Sequence, residues 1–288
     1  MKPGIYYNMS REEYDAIEAV NPSLIKLLLN SKRDAGDVLS GRKRIETDAM
    51  KIGTLCDNLL FSADEFDSIY RVWSGGSKNS KEYKTFKEQC AADGVIPIDE
   101  DDRAHAINTC TWIRDHKLAG KILSSGKPQA CIIWNEKLYG IKCKGLADWI
   151  DEDNDQIADL KTVGVSWNMH KIGQQAAHLG YHISMAAYAD GYEIVTGRRP
   201  KVGLIYVQKK AVTTSGRLKV MYSPLGYREL DRGLEKFCEG LRILDECKKS
   251  NDFSDDWDNN PQPLILPEYA YTDGDVIELT LNGETYEQ

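Results

Sequence analysis

Three side chains in this sequence have the types and spacing to do chemistry together: Asp148, Asp159 and Lys161. They lie in the runs Gly145-Leu146-Ala147-Asp148-Trp149-Ile150 and Ile157-Ala158-Asp159-Leu160-Lys161-Thr162. Both runs read as strands, and the polar stretch from Asp151 to Asp155 suits a hairpin connection between them. The side-chain period of two predicts Lys142, Lys144, Leu146, Asp148 and Ile150 on one face of the first strand. It puts Ile157, Asp159 and Lys161 on one face of the second. Once paired, the strands bring Asp148 and Asp159 together near one end of the hairpin. Two carboxylates on apolar strands repel each other unless a cation sits between them, and hard cations such as Mg²⁺ or Mn²⁺ prefer oxygen ligands. A neighbouring ammonium can position an attacking water or stabilise charge developing on a phosphate. These are the parts needed for metal-assisted phosphodiester hydrolysis. The competing reading of the same spacing is a hairpin with exposed acids. A calcium loop on Asp151, Asp153 and Asp155 is excluded, because Gln156 stands where the turn glycine belongs and Thr162 where the closing glutamate belongs.

The elements that must position these residues follow from periodicity and turn chemistry. Helices are predicted over 21–30, capped by Asn21 with Pro22 in the first turn, and over 48–61, 80–92 and 100–119. Near Pro128 the texture changes to strands over 129–135, 138–150 and 156–162. A long helix from about Trp167 to Tyr192 comes next, then strands over 201–208 and 218–223 and a helix over 226–249. The acidic tail beyond Asp252 carries a hairpin signal at Asn282-Gly283. This order predicts a mixed α/β or α+β core with an N-terminal helical elaboration. The expected division is 1–125 as that elaboration, contributing one site helix, 126–250 as the core, and 251–288 as an acidic β tail, all in one compact unit.

Bulk composition narrows the class. The chain has 288 residues, 41% hydrophobic and 28% charged, as in ordinary globular proteins. The amino-terminal stretch has no apolar signal-peptide core, and no run approaches the roughly 18 apolar residues of a membrane helix. The expectation is therefore a cytoplasmic protein with no membrane partner. Seven cysteines, an odd count without a CxxC pair, fit reduced structural thiols. The net charge of −8 limits nonspecific adsorption to nucleic acid but does not forbid a local basic groove. Basic residues cluster at Lys142 and Lys144, Arg198-Arg199-Pro200-Lys201, Lys209-Lys210, and Arg217 with Lys219. His178 and His182 have the i, i+4 spacing of a zinc grip, but no glutamate or cysteine accompanies them. Ser74-Gly75-Gly76-Ser77-Lys78 resembles a phosphate loop in composition only. The six tryptophans read mainly as core; Trp167 and Tyr188, near the candidate site in sequence, are the two aromatics singled out.

The pattern Gly-x-x-Asp-x(10)-Asp-x-Lys-Thr, with Gly180-Tyr181-His182 and Tyr188 downstream, resembles the PD-(D/E)xK nuclease superfamily. Within it the sequence is most similar to the phage and prophage exonuclease VIII (RecE-like) family, over roughly residues 20 to 195. The resemblance implies a restriction-endonuclease-like core, a central mixed sheet flanked by helices. It implies Asp148 and Asp159 as ligands of one or two Mg²⁺ ions (or Mn²⁺), the Leu160 backbone carbonyl as a further ligand, and Lys161 as the catalytic lysine. Lys51-Ile52-Gly53-Thr54-Leu55-Cys56-Asp57-Asn58-Leu59-Leu60 is similar to the family's Gly-Thr-Ala-x-His segment, with Asp57 in the place of a metal-binding histidine. Gln129 and Ser184 stand where relatives carry a glutamate and a glutamine. The implied activity is a 5′→3′ exonuclease on double-stranded DNA ends, in a ring-shaped homo-oligomer working with a single-strand annealing protein. Lys142, Lys144, Lys171, His182 and Tyr188 are the candidate DNA contacts. The alternatives on the same fold are an endonuclease or flap nuclease, and an inactive DNA- or protein-binding module.

Overall fold

The computed structural model describes residues 1–42, 48–265, 279–281 and 284–286. The N-terminal part runs β1 (Gly4–Tyr6), α1 (Arg11–Ala16), α2 (Pro22–Asn30), α3 (Lys32–Leu39), α4 (Asp48–Phe61), α5 (Phe66–Ile69) and β2 (Tyr70–Trp73). It continues through α6 (Lys81–Ala92), β3 (Ile96–Asp99), α7 (Glu100–Asp115) and α8 (Lys117–Ile122). The rest comprises β4 (Lys127–Asn135), β5 (Lys142–Asp151), β6 (Gln156–Val163), α9 (Met169–His178), α10 (Tyr181–Thr196), β7 (Lys201–Gln208) and β8 (Val220–Pro224). The chain then forms α11 (Tyr227–Ser250), α12 (Asp256–Asn259) and a hairpin of β9 (Leu279–Leu281) and β10 (Glu284–Tyr286). The turn expected at Asn282-Gly283 lies outside the described residues.

Six strands make one sheet in the order β1-β4-β5-β6-β7-β8. Every pair is antiparallel except β6 with β7. A parallel pair needs a crossover, and α9 and α10 supply it. Both faces of the central strands are covered, so successive residues enter opposite cores. From β7, Val202, Leu204 and Tyr206 join the large core with α2, α10 and α11, whereas Ile205 and Val207 join a second core with Leu60, Cys110 and Ile113. The restriction-endonuclease-like α+β architecture implied by the sequence is present.

The N-terminal residues are woven into that core. β1 forms the sheet edge against β4, and Ile25 and Leu28 of α2 are buried in the large core. The N-cap of α2 is as expected: the Asn21 carboxamide oxygen accepts from Leu24 N–H at 2.8 Å. Far along the chain, the buried Asp255 carboxylate accepts from Ser31 Oγ at 2.7 Å and Lys32 N–H at 2.6 Å, fastening the C-terminal segment over the start of α3. Tyr70–Trp73 and Ile96–Asp99 pair as a small parallel sheet, β2 with β3, which the sequence pattern did not suggest.

Two expected helices are broken in the structure. The helix predicted over 100–119 stops at Asp115, and His116 caps α8, its Nδ1 accepting from Ala119 N–H at 3.2 Å. The long helix predicted from Trp167 to Tyr192 starts at Met169 after the Asn168 cap and splits at Gly180, whose φ of 61° is left-handed. That split puts His178 and His182 on separate helices and removes the zinc-grip geometry.

α10 lies so close to β5 that a side chain at Gly145 has no room. A Cβ there would come within 2.6 Å of the Tyr188 ring. Gly145→Ala is expected to destabilise the protein by about 1–3 kcal/mol in urea unfolding, as overpacking does. A variant as stable as the parent would contradict this packing.

Candidate active site

The site lies where β5 and β6 part. Their ladder pairs Asp151 with Gln156, Ile150 with Ile157 and Trp149 with Ala158. β6 then continues alongside β7 as far as the Val163–Gln208 pair, while β5 stays with β4. By that register Asp148 and Asp159 are the first residues past the last pair, facing each other across the opening fork. The Asp148 carboxylate bridges it, Oδ2 accepting from Leu160 N–H at 2.8 Å. A side-chain oxygen thus takes over the role of a ladder carbonyl at the point where the ladder ends.

The β4–β5 ladder is also distorted here. Its register runs from Lys127↔Ile150 to Asn135↔Lys142 but skips the Gln129–Asp148 position, where Gln129 has a left-handed φ of 48°. Ala147 and Ile150, three residues apart, both enter the large core, so the alternation slips by one between them. The single face predicted for Lys144, Leu146 and Ile150 is therefore not formed: Leu146 packs instead beside Tyr14, Cys131 and Ile133.

Lys161 occupies the cationic position among three acids. Its Nζ forms an ion pair with the buried Asp159 carboxylate and donates to the Leu160 carbonyl at 3.0 Å. The ammonium also lies 5.5 Å from the centroid of the Tyr181 ring at the start of α10. Burial alone would disfavour this ammonium. The Asp159 charge and hydrogen bond, helped by Asp148 and Asp57, outweigh it and hold the Lys161 pKa above the ordinary lysine range. Burial, then repulsion from Asp159 and Asp57, raises Asp148 well above the usual carboxylate range, against the opposing pull of Lys161 and the Leu160 N–H. Burial also raises Asp57, on α4, to about 7, although Lys161 opposes the shift.

Among the described residues, no three acidic, histidine or cysteine side chains are close enough to chelate one ion as they stand. The donor set nevertheless fits a hard divalent cation. Asp148, Asp159 and Asp57 interact electrostatically with one another, and the Leu160 carbonyl faces the Lys161 ammonium. All are oxygen donors, and the acids carry more mutual repulsion than one lysine relieves.

The other sequence candidates are scattered. Lys144 is not available to a phosphate: it is buried, and its Nζ donates to the carbonyls of Tyr14 at 2.7 Å and Ile17 at 2.9 Å at the end of α1. Lys142 lies about 20 Å along β5 from Asp148, beside Tyr6 and Tyr7. Lys171 is exposed on α9. His182 lines a cavity with Lys26 and Arg232. Tyr188 is packed beside the acids, its pKa raised by burial and then by Asp159. Sequence reasoning gave no role to Tyr181 or Tyr206. The signal for Tyr206 lay in the parallel pairing, which sets it directly beside Lys161. Gln175 of α9 donates from Nε2 to the Thr162 carbonyl at 3.2 Å and approaches Tyr181 Oη at 3.4 Å.

A forked mixed sheet bearing an Asp, an Asp-x-Lys and flanking helices defines a protein of the PD-(D/E)xK nuclease fold. The chain matches the PDDEXK-like domain of unknown function (DUF3799) over residues 22–257 and belongs to that family. Among solved structures it is similar to a protein from Eubacterium rectale named as a putative exonuclease, with 17% identity and a TM-score of 0.62, covering 94% of this chain and 100% of that one. It is also similar to a phage related exonuclease from Haemophilus somnus 129PT, with 12% identity and a TM-score of 0.33, covering 81% of this chain and 96% of that one. The first of these likenesses shows a shared fold. No curated protein matches the chain.

The raised Asp57 pKa has a consequence for the metal-free protein. The folded state binds this proton more tightly than the unfolded state does, so stability falls as the pH rises from about 4 through about 7. In EDTA, Asp57→Asn is expected to melt above the parent at about pH 8 and level with it at about pH 4. An equal difference at both values would contradict the assignment of a buried, repelled carboxyl.

Proposed function

We propose that this protein is a divalent-metal-dependent DNA exonuclease that hydrolyses phosphodiester bonds from the ends of linear duplexes. The observation that carries the reading is the fork itself: Asp148 and Asp159 face each other beside a lysine that is already ion-paired within the site. Membership of a PDDEXK-like family supports a nuclease, and the name carried by the similar Eubacterium rectale protein favours the exonuclease form. Asp148, Asp159 and the Leu160 carbonyl would hold Mg²⁺ or Mn²⁺, with Asp57 completing the oxygen set for one or two ions. Such an ion, when bound, supplies positive charge to the phosphate and makes water a better nucleophile near neutral pH.

The protein's own residues define the remaining roles. In the metal-free protein the neighbouring Asp159, Asp148 and Asp57 charges favour the protonated Lys161 ammonium. From that state it orients the attacking water or neutralises charge building on the phosphate oxygens. Tyr181, Tyr206 and Tyr188 wall the site and limit where that ammonium can move. Burial around the acids lowers the local dielectric and strengthens each of these interactions. The polarity we assign is 5′→3′. The setting is phage-type recombination in the cytoplasm, as a ring-shaped homo-oligomer delivering single strands to an annealing protein. No helix among the described residues is long and apolar enough to cross a membrane.

The test is incubation with linear and covalently closed duplex DNA in Mg²⁺ or Mn²⁺. Linear DNA is expected to be degraded and closed circles spared, with release of the 5′-terminal label first. Asp159→Ala and EDTA should each abolish degradation, and Lys161→Ala should lower the rate by on the order of 10²–10³-fold. Cleavage of closed circles would show an endonuclease. A folded protein that binds DNA and degrades neither substrate would overturn the enzyme reading in favour of a binding module.

A further inference from the structure

We infer that the groove between the β7–β8 loop and α7, at the end of β6 beyond Lys161, is a single-stranded DNA binding subsite. The identity of its ligand rests on the nuclease reading of the Asp148–Asp159–Lys161 site. The groove has a volume of about 760 Å³ and is lined by Trp112, Trp167, Lys117, Gln208, Arg217 and Lys219, among others.

Its position follows from the sheet. Gln208 pairs with Val163, two residues past Lys161, so the groove opens about 7 Å along β6 from the lysine. Lys209 N–H donates to the Val163 carbonyl at 2.9 Å, which fastens the start of the loop to the end of β6. At the other side a single residue of α7 holds two parts of the groove in place. Asn108 accepts from Trp112 Nε1 at 3.0 Å through Oδ1, and through Nδ2 it donates to the Gly216 carbonyl at 3.0 Å. The indole and the loop that faces it are thereby held in fixed relation. The Arg217 guanidinium lies 5.6 Å from the centroid of the Trp112 ring.

The chemistry matches an unpaired strand. Lys117, Lys209, Lys210, Arg217 and Lys219 make no ion pair among the described residues, in a chain of net charge −8. Cations on the surface of α11 are by contrast paired, as in Arg232–Glu235, Lys236–Glu239, Arg242–Glu246 and Lys249–Asp245. Among the described residues, Asp115 is the one acid lining the groove. A concentration of unpaired cations attracts phosphates. Two half-buried indoles and a planar guanidinium offer surfaces on which bases stack, and a duplex keeps its base faces hidden. A merely solvated basic loop would not need a ring fixed by Asn108 beneath it.

The test measures binding of fluorescent oligodeoxythymidine to the full chain in EDTA, with a duplex of equal length alongside. The parent is expected to prefer the single strand. Trp112→Ala and Arg217→Ala should each weaken it by roughly five- to a hundredfold. Lys117→Glu and Lys219→Glu, at exposed positions that do not threaten folding, should weaken it about tenfold and flatten its salt dependence. Lys249→Glu, on α11, should bind as the parent does. Absence of oligodeoxythymidine binding, parental affinity in the two lysine variants, or equal losses for duplex and single strand would each overturn the inference. Metal-dependent digestion is scored separately. Loss of oligodeoxythymidine binding in the groove variants of a protein that digests nothing would keep the groove and refute the nuclease. Digestion that requires Asp159, with groove variants binding as the parent, would do the reverse.

Discussion

The architecture of the site depends on one hydrogen bond at a place where a ladder has to end. β6 stays beside β7 to its end but parts from β5 after Trp149 and Ala158, while β5 keeps its ladder with β4. Divergence leaves backbone groups without their ladder partners in a dry interior, which is costly unless something replaces them. The Asp148 carboxylate is that replacement, taking the Leu160 N–H. A charged acceptor used for a structural purpose is thereby fixed opposite Asp159. The fold creates the need for a buried acid, and the proposed chemistry would use the acid that results.

The surroundings follow from that placement. Three acids that repel one another cannot all be ionised in a buried site without a countercharge, and in the metal-free protein Lys161 is that charge. Its ammonium is in turn confined by the Tyr181 ring on one side and by the strand bearing Tyr206 on the other. The crossover that makes β6 and β7 parallel also delivers Tyr181 and Tyr188, because α9 and α10 must pass over this end of the sheet. Gly145 then allows α10 to approach, and Gln175 ties α9 to the end of β6.

Much of this was legible in the sequence, for identifiable reasons. Asp148, Asp159 and Lys161 could be found because two apolar runs and a polar turn fix their pairing, and a single register slip would have moved them to the other face. Asp57 could not be found by pairing, since it arrives on a helix remote in sequence; only resemblance pointed to it. Lys144 was misread because the alternation rule assumes an undistorted strand, and the left-handed Gln129 breaks that assumption opposite Asp148, four residues further along β5. The break at Gly180 was hidden because an apolar pattern continues on both sides of it, and one left-handed residue can re-aim a helix without changing the pattern. β1 was missed because three residues carry too little periodicity to register.

If the fork is a cation site at which a phosphodiester is cleaved, the ion and the phosphate meet at Asp148 and Asp159. The most direct measurement is anomalous diffraction from crystals of the Lys161→Ala protein grown with Mn²⁺ and a short DNA duplex. A manganese peak bound by Asp148, Asp159 and the Leu160 carbonyl is expected, with a terminal phosphate of the DNA against it. DNA bound elsewhere on the protein, with no manganese at the fork, would contradict this reading.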